Sequence, residues 1–266
     1  MNKPAISEKI LEDVGLFVLD MDGTVYLGDH LIPGSLDFIH DVQKSGRDYI
    51  FFTNNASRIP EYYVEKLKKM GLVVTEDKIM TAGDVTIAYI QTYYPQARVY
   101  LNGTPLLEQS FRNHGIRLVE DQPDVAIQSF DTTLTYDKLD KICRFVREGV
   151  PFIATHMDTN CPTEDGFMPD CGAMCALITE STGIAPRFLG KPWEETMEMV
   201  LELTGYKRDA IAFVGDRIYT DVATGVNNGA KGFLVLTGES DLQTVRTSDV
   251  VPTCIFDSLD EMRKYL

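Results

Sequence analysis

The sequence predicts an α/β fold with a mainly parallel sheet, and two observations carry that reading. Seven short apolar runs, rich in β-branched and aromatic residues, alternate along the 266 residues with stretches whose apolar positions recur at helical spacing. Several of these runs also stop at Asp, Thr or Gly. Strand–helix alternation of this kind builds parallel sheets, whose ligands bind beyond the carboxyl ends of the strands.

In chain order, GLFVLD over 15–20 reads as a buried strand. A helix is expected over 35–44, after the Pro33-Gly34 turn, and a second buried strand, DYIFFT, over 48–53. The segment 60–70 opens on Pro60 and stops before Gly71, as helices prefer: proline fits the first turn and glycine the position past the last. ARVYL (97–101), DVAIQ (124–128) and PFIAT (151–155) are further strands, with an amphipathic helix over 135–148. The stretch 155–171, THMDTNCPTEDGFMPDC, reads as a long polar loop that precedes a helix beginning near Gly172. A helix over 193–204 and the strands AIAFVGD (210–216) and GFLVL (232–236) complete the pattern. No repeat, low-complexity tract or long linker marks a domain boundary.

Composition excludes several function classes. The formal net charge is −15, which disfavours gripping a nucleic-acid backbone or an anionic membrane, although a bound cation can reverse the field locally for an anionic substrate. No apolar run is long enough to span a bilayer. Five cysteines and an N-terminus without an apolar leader point to free thiols in a reducing cytoplasm. Cys171 and Cys175 lack the CxxC partners or nearby His pair of a metal site and read as one packed helix face.

Four strand ends carry chemistry. In Leu19-Asp20-Met21-Asp22-Gly23-Thr24 two carboxylates alternate onto the same side of an extended chain, and burying both requires a cation or a proton. The plain alternative is a turn in which Asp22 caps Thr24. Thr53-Asn54-Asn55 offers donors for phosphate oxygens, and equally good turn chemistry. Lys191, in Gly190-Lys191-Pro192, could hold a phosphate or neutralise carboxylates, and alone would be an ordinary surface lysine. In Gly215-Asp216-Arg217-Ile218-Tyr219-Thr220-Asp221, Asp216 suits a hard cation and Asp221 could cap a helix or hold the metal ligands in place. Together they supply a nucleophile, a second carboxylate, phosphate donors, an ammonium and a metal ligand, a complete set for phosphoryl transfer through an aspartyl-phosphate.

On these motifs the sequence resembles the haloacid dehalogenase (HAD) superfamily and its NagD-like (HAD-IIA) phosphatases. DMDGT at 20–24, TNN at 53–55, Lys191 in GKP and GDRIYTD at 215–221 agree in order and spacing, and YLGDHLIPG at 26–34 also looks like this branch. The resemblance implies a Rossmann-like core, residues 1–82 and 186–266, interrupted by an inserted α/β cap of the C2 type, residues 83–185. It makes Asp20 the nucleophile and Asp22 the general acid/base. Thr53, Asn54, Asn55 and Lys191 would bind the phosphoryl group. Mg²⁺ would be held by the side chains of Asp20 and Asp216 and the main-chain carbonyl of Asp22.

The expected activity is Mg²⁺-dependent hydrolysis of a small phosphorylated metabolite, a sugar phosphate or nucleotide. Asp22 would have to be protonated to assist the leaving group, and neighbouring negative charge would favour that form. A phosphomutase or phosphotransferase of the same superfamily is the alternative, followed by a silent metabolite-binding regulator. A dehalogenase would need no acid at Asp22. His156, Asp158 and Asn160 are the candidates for substrate selection, His156 standing where relatives commonly carry Asn in Thr-Asn-x-Asp. Otherwise His156 would be a surface loop residue. Neither nucleic acid nor membrane is expected as a partner, and cap surfaces could support a homodimer.

Overall fold

A computed structural model describes residues 6–163 and 166–266. Residues 1–5, and Glu164 and Asp165 within the expected polar loop, lie outside the described residues. The chain divides into two compact units. The first comprises Met1–Thr53, Val64–Met80 and Lys191–Leu266, the second Asn54–Tyr63 and Thr81–Gly190.

The first unit is built on a six-stranded sheet in the order Cys254–Phe256, Lys231–Val235, Ile211–Gly215, Leu16–Leu19, Asp48–Thr53, Ile79–Thr81. Leu16–Leu19 is buried along its whole length, which is why LFVL shows no polar alternation: a central parallel strand is covered on both faces. It pairs parallel on both sides, with Leu19 opposite Val214 and opposite Phe51. This register is what assembles the site, because Asp20, Asp216 and Thr53 all leave the sheet at the same edge. The helix Ser35–Lys44 buries Phe38, Ile39 and Val42, and Phe38 meets Phe17 edge-on at 5.4 Å.

The second unit holds a separate five-stranded sheet, in the order Arg187–Phe188, Phe152–Ala154, Val125–Gln128, Arg98–Asn102, Arg117–Leu118, every pairing parallel. The helices Tyr136–Arg147 and Cys171–Thr182 pack on it through Ile142, Phe145, Cys175 and Ile178. Cys171 and Cys175 are buried in that core, 4.0 Å apart at sulfur.

The expected α/β class holds, with one correction: the polar loop over 155–171 contains an antiparallel hairpin, Asn160–Thr163 with Gly166–Pro169. Its strands are mostly exposed on both faces, so they carry no alternation for a sequence reading to find. Among the described residues no helix is long and apolar enough to cross a membrane.

Candidate active site

Asp20 follows directly on the central strand and its N–H donates to Val214 O at 2.8 Å. Alternation then sends Met21 into the core and turns Asp22 out to solvent. Gly23 turns the chain with φ +82°, and a Cβ there would lie 2.6 Å from Asp216 Oδ2. Gly238 approaches the same oxygen from the other side, where a Cβ would come within 2.0 Å. Asp216 is thus enclosed by two glycines.

Lys191 is 2% exposed, and its ammonium is the cation of this edge of the sheet. Nζ donates to Asp20 Oδ1 at 2.7 Å and to Phe52 O at 3.2 Å, and pairs with Asp221 Oδ1 at 2.6 Å. Burial alone would pull its pKa down. Asp20 and Asp221 push it up by more, so the lysine is charged. Asp221 is set by Arg217, whose N–H donates to its Oδ2 at 3.0 Å, within the wound segment Ile218–Val222.

Carboxylate oxygens of Asp20, Asp216 and Asp221 lie within 4.8 Å of one another. Burial, then the charge of Asp221, raises Asp216 to about 7. Burial also lifts Asp20 well above the usual carboxylate range, Asp221 and Asp216 adding to the effect and Lys191 opposing it. Glu239 N–H donates to Asp216 Oδ2 at 2.7 Å, whereas Oδ1 is buried with no hydrogen-bond partner. An orphaned carboxylate oxygen in an all-oxygen cluster with excess negative charge fits a hard divalent cation. Asp22 gives no side-chain oxygen to the cluster.

Thr24 N–H donates to Met21 O at 3.3 Å and not to Asp22, and the Thr24 hydroxyl is buried without a partner, so the capping alternative fails. Its carboxyl is raised, and here the expected cause is corrected. Crowding by the surrounding protein raises it, limited by the water that reaches this exposed side chain, while Lys66 and Arg217 pull it down. The neighbouring charges are positive, not negative.

The other candidates, Thr53 apart, belong to the second unit. Asn54 Nδ2 donates to Asp158 Oδ1 at 3.3 Å, and Asn55 Oδ1 accepts from Ser57 N–H and hydroxyl at 3.0 and 2.7 Å. Asn55 thus closes a local turn, while Asn54 reaches across the second unit to Asp158. Thr53 ends its strand in the first unit, buried. His156 is fully buried, not a surface residue: Nε2 lies 2.8 Å from Asp170 Oδ1 and Nδ1 2.9 Å from Thr155 Oγ1. Burial alone would lower its pKa, but Asp170, Cys171 and Asp158 together raise it to about 9. His156, Asp158 and Asp170 also bring ligand atoms within 4.8 Å of one another, an approach the imidazole–carboxylate pair accounts for. Asn160 is exposed on the hairpin.

Three residues of these networks lie outside the motifs. Asp170 could have been found as the Asp preceding a helix. Glu239, through its main chain, and Lys66, through its charge beside Asp22, have no local signature.

Comparison with known proteins gives the family. Residues 17–117 match the haloacid dehalogenase-like hydrolase family, and residues 188–262 match the related HAD-hydrolase-like family. An acid sugar phosphatase of Staphylococcus aureus is 35% identical over 246 residues, 92% of this chain and 95% of that one. The structure of a 4-nitrophenylphosphatase from Thermotoga maritima superposes with a TM-score of 0.92 at 40% identity, covering 96% of this chain and 98% of that one. A putative nagD protein gives 0.90 at 39% identity, covering 95% and 98%. With its parallel core sheet, its separate five-stranded sheet and its four motifs, this chain belongs to the haloacid dehalogenase-like hydrolases, among the phosphatases of their NagD/p-nitrophenylphosphatase branch.

Proposed function

We propose that this phosphatase is Mg²⁺-dependent and hydrolyses a small phosphorylated metabolite, a sugar phosphate before a nucleotide, through an aspartyl-phosphate on Asp20. The observation that carries the reading is Lys191: one buried ammonium contacts Asp20, Asp221 and the main chain at Phe52, beside Thr53. The name of the acid sugar phosphatase relative puts sugar phosphates first. The first unit is assigned as catalytic core and the second as the substrate-selecting cap. The five cysteines form no disulfide among the described residues, which fits a reducing, cytoplasmic setting.

An Asp20 oxygen attacks phosphorus, and the bond to the leaving-group oxygen breaks as that oxygen takes the proton of Asp22. The Asp22 carboxyl is raised above the ordinary carboxylate value, the direction a proton donor needs. Asp22, now a carboxylate, removes a proton from the water that attacks the phosphorus of the aspartyl-phosphate. Phosphate leaves and Asp20 is restored. Lys191 and the Thr53 hydroxyl meet the charge on the phosphoryl oxygens. Held by Asp20, Asp216 and the Asp22 carbonyl, with Asp221 keeping those ligands in place, Mg²⁺ would supply the charge neutralisation that lets carboxylate and phosphate approach.

The test is phosphate release from a panel of sugar phosphates, nucleotides and p-nitrophenyl phosphate, with Mg²⁺ and with a chelator. Turnover that chelation abolishes is expected. Isomerised substrate without free phosphate would mean a mutase, and no turnover on any ester would mean a silent binding protein.

A further inference from the structure

His156 is buried in a stretch whose composition reads as solvent-exposed, and both of its ring nitrogens are engaged inside the second unit. Its partner Asp170 also caps the helix Cys171–Thr182 by accepting from Cys171 N–H, and the Asp170 N–H donates to Thr159 O at 3.0 Å. Gly172 N–H donates to Asp158 O at 2.8 Å. The loop from Thr155 to Thr159 is thereby fastened to the end of a rigid helix.

This loop in turn holds the chain where it enters and leaves the second unit. Asn54 is the first residue of that unit and Gly190 the last before Lys191. Asn54 bonds Asp158 through its carboxamide, and Gly190 N–H donates to Thr155 O at 2.8 Å. A Cβ on Gly190 would lie 2.7 Å from Asn54 Oδ1 and 3.0 Å from His156 Cβ, so the contact is closed to any side chain. One peptide bond beyond Asn54 and Gly190 stand Thr53 and Lys191.

We infer that the His156–Asp170 pair is a positioning device for the phosphate-binding residues: by bracing the loop onto which Asn54 and Gly190 are hydrogen-bonded, it fixes the backbone from which Thr53 and Lys191 are presented. The inference rests on the phosphatase reading for the roles of Thr53 and Lys191. His156 contacts no substrate in this account. It acts through the loop, so its effect falls on phosphate affinity and on orientation, not on leaving-group choice.

The experiment uses the full chain with saturating Mg²⁺, well below its melting temperature. Inhibition by inorganic phosphate and kcat and KM on p-nitrophenyl phosphate are measured for wild type, His156→Ala, His156→Gln and Asp170→Asn, with melting curves alongside. For His156→Ala and Asp170→Asn the phosphate inhibition constant should rise and kcat/KM should fall, each about tenfold to a hundredfold, the scale of a small misplacement of binding groups. His156→Gln, whose amide can still donate to Asp170, should recover much of the loss, and the Mg²⁺ requirement should not move. Folded variants with wild-type phosphate affinity and kcat/KM would overturn the inference, whatever their melting temperatures. So would a raised Mg²⁺ requirement, which would indicate general distortion. If His156→Ala does not fold, Asp170→Asn decides, since the amide keeps the helix cap. Failure of the phosphatase reading is distinguishable, because wild type itself would then release no phosphate.

Discussion

Lys191 Nζ lies 2.7 Å from Asp20 Oδ1, although 171 residues separate the two in sequence. The same ammonium pairs with Asp221 at 2.6 Å. One buried cation therefore serves two carboxylates, with a third, Asp216, within 4.8 Å of both. Removing the cation strands the anions. Removing an anion relieves them.

Lys191→Ala should lower kcat by about 10²–10³, with a smaller rise in KM, if the ammonium chiefly meets charge that develops in the transition state. Steady-state kinetics on p-nitrophenyl phosphate decide it. An unchanged kcat with a raised KM would mean that the lysine binds ground-state phosphate.

Asp20→Asn should abolish turnover and leave the fold intact. Burial already disfavours the charged form of Asp20, so a neutral amide should melt no lower than wild type. Substantial residual turnover, with deamidation excluded, would sink the covalent mechanism.

Asp216 links metal to pH. Its carboxyl is raised from the ordinary 3.8 to about 7, so its contribution to stability is present below the unfolded value and is lost as pH rises through about 7. Chelated protein should melt lower near pH 8 than near pH 5 on this account, and Mg²⁺ should recover more of the melting temperature near pH 8. Asp216→Asn should flatten both effects. A metal-free melting temperature equally independent of pH in wild type and variant would refute the assignment.

A second pH effect is hidden by cancellation. His156, raised to about 9, contributes stability below 6.5 that is lost as pH rises through about 9. Cys171 runs the other way. Burial favours its thiol, but the bond from Cys175 and the charge of His156 win and bring it to about 7, so its contribution is lost as pH falls through about 7. The two slopes share one window. Cys171→Ala should therefore lose stability as pH rises above 6.5, over a window that closes below 9 because Cys171 no longer supports the imidazolium, where wild type changes less. Parallel curves would show that the pair does not titrate in this range.

In the second unit, Asp158 and Asn160 should separate. Asp158→Ala leaves the Asn54 carboxamide short of a buried acceptor, at a cost of about 1–3 kcal/mol, and should depress activity toward every ester. Asn160→Ala, at an exposed hairpin position, should keep the melting temperature and reorder the substrate panel, with p-nitrophenyl phosphate affected least. A uniform scaling by Asn160→Ala would move selection elsewhere in the unit.

Asp20 and Asp216 were legible because each follows a wholly apolar strand, where a polar residue stands out: Asp20 after LFVL, Asp216 after IAFVG. The helix Ala82–Tyr93 was not, because it buries residues such as Val85, Thr86, Ile87 and Ile90 around much of its circumference and shows no stripe. The bond from Glu239 to Asp216 is made by the main chain, which no side-chain pattern encodes. Burial of His156 depends on Asp170, 14 residues away across a hairpin that carries no hydrophobic signal.

The placement of Leu16–Leu19 between Asp48–Thr53 and Ile211–Gly215 has a consequence for biosynthesis. The five strands of the second sheet, 98–188, all precede residues 211–215 in the chain. The inserted unit can therefore complete its hydrogen-bonding ladder while the central strand of the first still presents one bare, wholly apolar edge. A chain truncated just short of Ile211 and released would carry a finished insert on an unfinished host, and that unpaired edge is the surface a chaperone would recognise.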